Sequence, residues 1–355
     1  MSAWTWLVPV VSFALFIVAF AIGVSPAVAA ICTLALIGAV IAAVHHAEVV
    51  AHRVGEPFGT LVLAVAVTVI EASLVLSMML AGGEGAAVLT RDTIFAAVMI
   101  ICNGVVGLCV LVGGLAHREQ SFRVEGSGAA LAALMTMSAL SLVLPDFTTT
   151  TGIGTYSHGQ LAFAAVTSAA LWAIFVFIQT VRHRDYFLPA ADAANVESHA
   201  HPPTNREAWM SFGLLMVALV SVVGLAKALS PSIERAVEYA GAPKAVLGIA
   251  IAMLVLLPET WAAVRAAKAN RLQTSMNLAL GSALASIGLT IPVVAIAAIT
   301  LNLHLVMGLE PRDIVLLAVT FAVSTVTLGT GRTHMMQGAV HLVLFATFLF
   351  LSFVP

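Results

Sequence analysis

Two glutamates stand inside segments that are otherwise apolar enough to cross a membrane. Glu71 lies in "GEPFGTLVLAVAVTVIEASLVLSMML", and Glu259 lies in "GAPKAVLGIAIAMLVLLPETWAAV". An acidic residue at the centre of a spanning helix costs about 2.5–3.5 kcal/mol on insertion scales, so it normally faces a protein interior or a water-filled cavity and has a function. The alternative is a protonated carboxyl group that only hydrogen-bonds a neighbouring helix.

A pair of buried carboxylates can exchange protons for a cation. Mutual repulsion and loss of hydration both favour carboxyl groups that hold protons. A cation that enters between the two groups reverses this preference and displaces the protons. Competition between protons and a cation for one site is the minimal chemistry of an antiporter, so we expect Glu71 and Glu259 to bind both.

Oxygen ligands indicate calcium as the transported ion, because calcium takes six to eight of them at about 2.3–2.6 Å. Four further side chains are candidate ligands beside the two glutamates. Thr68 lies one turn before Glu71, Asn103 lies in the next helix, and Ser282 and Ser286 share a helical face. Each has a structural alternative: a bond from Thr68 to its own helix, or helix–helix contacts for the other three.

The stretch "HHAEVVAH" places His45, Glu48 and His52 on one face of a helix. These groups can form a proton relay or pH sensor at the cytoplasmic side, or they can be solvated groups at an interfacial helix end. A zinc-protease motif needs two histidines four residues apart around a glutamate. His46 and His52 are six apart, which argues against an intramembrane metal-dependent enzyme.

The composition predicts an integral membrane protein. The 355 residues are 61% hydrophobic and 9% charged, whereas a soluble domain carries about a quarter charged residues. A net charge of −2 gives no reason to expect a nucleic-acid partner. Cys32, Cys102 and Cys109 lie in apolar runs without metal-ligand spacing, so we expect neither a disulfide framework nor a cofactor.

The fold class that follows is an all-α polytopic membrane protein with about eleven transmembrane helices. A span needs about 20 apolar residues, and the candidates are Thr5–Ile22, Pro26–Val50, Phe58–Ala81, Thr93–Leu115, Ser127–Leu144, His158–Val181, Ala208–Leu229, Lys244–Ala266, Ser275–Leu301, Asp313–Gly329 and Gln337–Val354. The distribution of Lys and Arg between the loops favours a cytoplasmic N-terminus and a periplasmic C-terminus. The first apolar run lacks a basic segment before it, so we interpret it as a retained helix.

Two stretches recur five spans apart. Both glutamate segments open with Gly-x-Pro, and the helices that follow align so that Gly107 falls on Gly288. An odd offset inverts one copy in the membrane, and inverted repeats are an architecture of transporters. We therefore predict an extra first helix in 1–24, five-helix repeats in 25–181 and 208–355, and a cytoplasmic connector in 182–207. Glu56 is expected to cap the third span, and Asp146 to lie at the outer interface.

The chain resembles the cation/proton exchangers of the calcium/cation antiporter superfamily, most closely the ChaA-type bacterial calcium/proton antiporters. The stretches that carry the resemblance are "HHAEVVAHRVGEPFGTLVLAVAVTVIEASLVLS", "LPETWAAVRAAKANRLQTSMNLALGSALASIGLTIPVV" and "GRTHMMQGAVHLVLFATFLFLSF". The resemblance implies two five-helix inverted repeats and cation and proton binding by Glu71 and Glu259. Thr260 stands where the commoner exchanger pattern has a histidine, and Ala285 where it often has a glutamine.

The sequence thus predicts a secondary active antiporter, not an enzyme, in the inner membrane of a bacterium. It would export calcium in exchange for protons by alternating access, with cations, protons and the lipid bilayer as its partners. The alternatives are a sodium(potassium)/proton antiporter with the same site, the metal-dependent enzyme, and a channel, which does not need a proton-coupled carboxylate pair.

Overall fold

The computed structural model describes residues 3–55, 58–81, 86–188, 203–239, 241, 243 and 245–354. Three sequence predictions fall outside these residues: the cap at Glu56, the start of the eighth span at Lys244, and residues 189–202 of the connector. Most of the described chain is helical, as its apolar runs predict.

Twelve α-helices, some of them sections of one span, form the described part of the chain. They are α1 Ala3–Ile22, α2 Pro26–Val54, α3 Phe58–Ala81, α4 Ala86–Met99, α5 Val106–His117, α6 Val124–Ser138, α7 His158–Phe177, α8 Asn205–Tyr239, α9 Ala245–Lys268, α10 Leu272–Leu301, α11 Pro311–Gly329 and α12 Met335–Phe353. π-helical turns occupy Ile100–Val105, Ala139–Val143 and Ile178–Arg182, and 3₁₀ turns occupy Leu144–Phe147 and Arg184–Tyr186. Two short strands, β1 Glu119–Ser121 and β2 Arg332–His334, pair antiparallel.

Every predicted span corresponds to helix, but the count of eleven is not reached by length and hydropathy alone. Among the described residues, 9 helical segments are long and apolar enough to cross a membrane. A tenth follows if Gly248–Leu257 and Glu259–Lys268, which meet at 52°, form one bent span, and Val65–Leu80 in α3 is a shorter apolar helix. The bend in α9 falls at Pro258, where proline removes a backbone donor and breaks the helical ladder.

The chain divides into two compact units. The first comprises Met1–Leu89 and His201–Val255, and its core lies where α2 contacts α3 and α8. The Ser12 hydroxyl donates to the carbonyl of Ala35 (3.0 Å), which joins α1 to α2. Arg53, in the last turn of α2, donates to the side chain of Asn205 at the start of α8 (2.8 Å).

The second unit comprises Thr90–Ala200 and Leu256–Pro355. In it α10 packs against α6 and α7, and α12 packs against α5. Two of these contacts are close because a glycine lies at each. A Cβ on Gly338 would lie 2.4 Å from the backbone nitrogen of Leu111, and one on Gly288 would lie 2.5 Å from Cβ of Trp172. Small residues at such contacts let helix backbones approach in a membrane, where no hydrophobic force drives helices together.

The short β-ladder fixes the register of the α5–α12 pair. It joins the residues that follow α5 to those that precede α12, with Glu119 opposite His334 and Ser121 opposite Arg332. The ladder therefore holds the C-terminal end of α5 near the start of α12, and Gly107 and Gly338 lie at a second close contact between the two helices.

The glycine contact gives the first prediction, because an added methyl group at Gly338 has no space. We expect Gly338→Ala to destabilise the protein by about 1–3 kcal/mol, the usual cost of overpacking a close contact. The measurement is thermal unfolding of the purified protein in detergent micelles.

The matched control is Gly213→Ala in α8, where an added Cβ would meet nothing within 4 Å. Alanine favours a helix over glycine by up to about 1 kcal/mol, so this variant should unfold at the same or a slightly higher temperature. Equal unfolding temperatures for the two variants would contradict the close α5–α12 contact.

Candidate functional site

Glu71 is buried in the first unit, with 3% of its surface exposed. It lies in the middle of α3, which contacts α2 and α8. Thr68, one turn earlier on the same helix, is buried as well. Burial within protein is the arrangement that an acidic residue at membrane depth requires, so the carboxyl group is kept from hydrocarbon as the sequence predicts.

Glu259 is half-buried in the second unit, directly after the bend of α9. The hydroxyl of its neighbour Thr260 donates to the carbonyl of Leu256 one turn earlier (2.7 Å). Thr260 is therefore engaged with its own helix, which is the usual arrangement for a threonine in an apolar helix. The acidic side chain thus lies at an interrupted stretch of helix, where backbone groups are freed from the regular ladder.

Asn103 is the best-defined polar side chain of the predicted site. It is fully buried, and its amide nitrogen donates to the hydroxyl of Thr320 in α11 (2.8 Å). Its amide oxygen lies 3.2 Å from Nδ1 of His341 in α12. Both ends of the amide thus hydrogen-bond neighbouring helices, which is the structural alternative that the sequence left open. Direct cation ligation by Asn103 stays a prediction.

His341 completes this buried network and fixes its proton positions. Because the oxygen of Asn103 only accepts, Nδ1 of His341 carries a hydrogen and donates it. Nε2 of the same ring lies 3.1 Å from the hydroxyl of Thr327 in α11 and, in this tautomer, accepts its hydrogen bond. Asn103, Thr320, Thr327 and His341 are all buried, and this set is called the Asn103 network below.

The local geometry of the chain orients the Asn103 side chain toward its hydrogen-bond partners. The residue lies in the π-helical turn Ile100–Val105, which adds a residue to the helix and rotates the side chains that follow. The contact between Gly107 and α12 brings His341 close, since a Cβ on Gly107 would lie 2.9 Å from Cβ of His341. Sequence analysis missed His341, Thr320 and Thr327, although a histidine in the apolar run "GAVHLVLFATF" is the same kind of signal as Glu71.

Ser282 and Ser286 lie in the second unit on α10, the helix that packs against α6 and α7. Ser286 is buried and Ser282 is half-buried. Ala285, where the exchanger pattern often has a glutamine, is buried too. The two hydroxyls share a face as predicted from their spacing, and their role as cation ligands stays a prediction.

The histidine stretch lies at the end of α2 in the first unit. His46 is the fully buried member, and its Nε2 donates to the carbonyl of Thr5 in α1 (2.7 Å). His45 is half-buried with its ring 5.1 Å from that of Trp4, Glu48 is half-buried, and His52 is exposed. The three predicted relay residues thus extend along α2 from its contact with α1 to its C-terminal end. His46, which sequence analysis did not select, hydrogen-bonds α1 and so connects it to α2.

The Asn103 network gives the second prediction, which concerns the hydroxyl of Thr327. Thr327→Val removes the donor to Nε2 of His341 at nearly constant volume. A buried acceptor left without a partner costs about 1–3 kcal/mol, so we expect a lower unfolding temperature in detergent and a slower exchange of cations for protons.

Thr325→Val is the matched control on the same helix. Its hydroxyl donates only to the carbonyl of Phe321 in its own helix, and its side chain is exposed. This variant should behave like the unmodified protein in both measurements. The network would be contradicted if Thr327→Val matched the control.

Comparisons with known proteins identify the family of this chain. A family model described as "Sodium/calcium exchanger protein" matches residues 24–181 and 210–354. One relative is y4hA of Sinorhizobium fredii, which is named only as an ionic transporter. It is 51% identical to this chain over 90% of this chain's length and 87% of its own length. The sodium-potassium/proton antiporter ChaA of Escherichia coli K12 is 35% identical over 92% of this chain and 90% of its own.

The fold is shared with solved exchangers. A crystal structure of the H⁺/Ca²⁺ exchanger CAX superposes with a TM-score of 0.73 at 16% identity, covering 97% of this chain and 87% of that one. Because the family match spans most of the sequence, the function of the chain follows at the level of the family. The chain belongs to the sodium/calcium exchanger protein family, and it is a multi-pass membrane antiporter of cations rather than an enzyme.

Proposed function

We propose that this antiporter exports calcium in exchange for protons, by alternating access, across a bacterial plasma membrane with its N-terminus in the cytoplasm. The observation that carries the proposal is the burial of Glu71 inside α3. A carboxyl group enclosed by protein at membrane depth can hold a proton or bind a cation. Such a group can therefore alternate between the two, as exchange requires.

The choice of calcium rests on charge and ligand type. One divalent ion neutralises the carboxylates of Glu71 and Glu259, and the candidate ligands are all oxygen atoms, which calcium prefers. Sodium or potassium would leave one negative charge uncompensated. The rival is nevertheless specific, because the Escherichia coli relative at 35% identity is named as a sodium-potassium/proton antiporter.

The close helix contacts of the second unit support the predicted repeats in 25–181 and 208–355. Gly107 belongs to the third helix of the first repeat and contacts α12, the fifth helix of the second. Gly288 belongs to the third helix of the second repeat and contacts α7, the fifth helix of the first. Two repeats related by a twofold axis would produce such a reciprocal arrangement, and Gly107 and Gly288 are the residues that align between the repeats.

The third prediction tests the two glutamates. Glu71→Gln and Glu259→Gln should each abolish calcium/proton exchange, because glutamine keeps the size and hydrogen bonding of the side chain but can neither release a proton nor carry charge. The measurement is calcium transport in proteoliposomes, together with thermal unfolding to show that each variant folds.

Glu119→Gln is the control, because Glu119 is an exposed residue of β1. It should transport calcium at the rate of the unmodified protein. A variant at Glu71 or Glu259 with near-normal transport would leave that glutamate with only the role of a protonated, hydrogen-bonded group.

The fourth prediction concerns coupling. Two carboxyl groups can release two protons and accept one calcium ion, a cycle that moves no net charge. Each pH unit is worth about 1.36 kcal/mol per proton. Two protons therefore supply about 2.7 kcal/mol, which corresponds to roughly a hundredfold calcium gradient per pH unit.

Inverted membrane vesicles separate the two components of the driving force. Nigericin in potassium buffer removes the pH gradient and should stop calcium uptake, whereas valinomycin with balanced potassium removes the voltage and should leave uptake nearly intact. Inhibition by valinomycin would show that the cycle carries charge and that a third titrating group joins Glu71 and Glu259.

A further inference from the structure

A groove lies in the first unit between α1, α3 and α8. Its volume is about 800 Å³, within the range of about 300–1,000 Å³ that is typical of small-molecule sites. Its walls are mainly apolar and include Phe16, Phe20, Val24, Val69, Val220 and Val223.

The groove ends at two cations on α8. Lys227 and Arg235 both line it and are both exposed. They lie about two helical turns apart, and Pro231 lies midway between them. Residues four apart lie on the same side of a helix, so these three positions share one side of α8. The candidate membrane span of α8 ends at Leu229, so we expect both cations to lie near the depth of the lipid headgroups.

Neither cation is compensated within the described part of the chain, where no salt bridge to Lys227 or Arg235 is formed. The guanidinium group of Arg235 is held in place by its own helix: Nε donates to the carbonyl of Pro231 (3.0 Å) and one Nη donates to the hydroxyl of Ser232 (3.3 Å). An arginine has five N–H donors, so three are left to bind an anion.

We propose that this groove binds an anionic phospholipid, with an acyl chain against the apolar walls and the phosphate at Lys227 and Arg235. An apolar wall that ends at two cations matches a molecule with a hydrocarbon chain and a negatively charged head. Arginine also pairs with phosphate through parallel hydrogen bonds. A zwitterionic lipid carries its own cation and should compete poorly.

The position of the groove makes the lipid a structural ligand and not a transported one. Val69 and Ser73 of α3 line the groove, and Glu71 is 200° around the helix from both at 100° per residue. The lipid therefore contacts the side of α3 opposite to the carboxyl group and joins α3 to α1 and α8. This inference does not depend on which cation the antiporter carries.

The test is lipid binding to the full-length, delipidated protein in detergent, followed by native mass spectrometry and thermal unfolding. The probes are phosphatidylglycerol and phosphatidylcholine with identical acyl chains, and glycerol phosphate without chains. We expect one phosphatidylglycerol to bind in preference to phosphatidylcholine and to raise the unfolding temperature. Glycerol phosphate should have no such effect, because it lacks the chain that fills the groove.

Two variants separate the parts of the site. Lys227→Gln with Arg235→Gln should weaken phosphatidylglycerol binding by about tenfold or more, because hydrogen bonds between charged groups are lost. Val220→Trp should reduce binding of both lipids by filling the groove. The matched controls are Arg184→Gln with Arg206→Gln, two exposed cations outside the groove, and Val326→Trp, an exposed position on α11; both should bind lipid normally.

Three results would overturn the proposal. The first is equal preference for phosphatidylglycerol in the unmodified protein and in the Lys227/Arg235 variant. The second is an equal loss in the Arg184/Arg206 control, which would indicate a general charge effect. The third is a chain-to-chain disulfide from Val220→Cys, which would show that a second copy of the protein covers the groove.

Discussion

The cost of holding a charge at membrane depth is the constraint on which this structure depends. A charged group in the spans must be enclosed by protein and compensated there, because hydrocarbon neither solvates it nor offers it hydrogen bonds. Glu71 meets the first condition by burial in α3, a helix that contacts α2 and α8. Under the proposed exchange, a proton and a cation would meet the second condition in turn, which would link the fold of the first unit to exchange.

In the second unit, the Asn103 network meets the same constraint without an acidic side chain. Asn103, His341, Thr320 and Thr327 join α11, α12 and the π-helical turn through hydrogen bonds of 2.8–3.2 Å. These distances require helices that approach more closely than large side chains allow. Gly107 and Gly338 provide this approach between α5 and α12, and the β-ladder sets their register. Loss of either glycine therefore affects polar groups as well as packing.

Much of the fold could be predicted because hydropathy and burial of charge are local signals. The apolar runs predicted where helices lie, and an acid in such a run predicted the burial of Glu71. Features set by neighbouring helices were missed. The spacing of His45, Glu48 and His52 identified a helical face, but it is the carbonyl of Thr5 in α1 that makes His46 the buried histidine. The partners of Asn103 could not be derived either, because a π-helical turn changes the face on which the residue lies.

The central claim is that protons and calcium compete for the carboxylates of this antiporter, and the most direct test is transport by the purified protein in proteoliposomes with an imposed pH gradient. Calcium, sodium and potassium would be offered separately and then in competition. We expect calcium to move against the proton flux, with little effect of excess sodium or potassium. Proton-coupled movement of sodium or potassium without calcium transport would contradict it and would assign the site to monovalent cations.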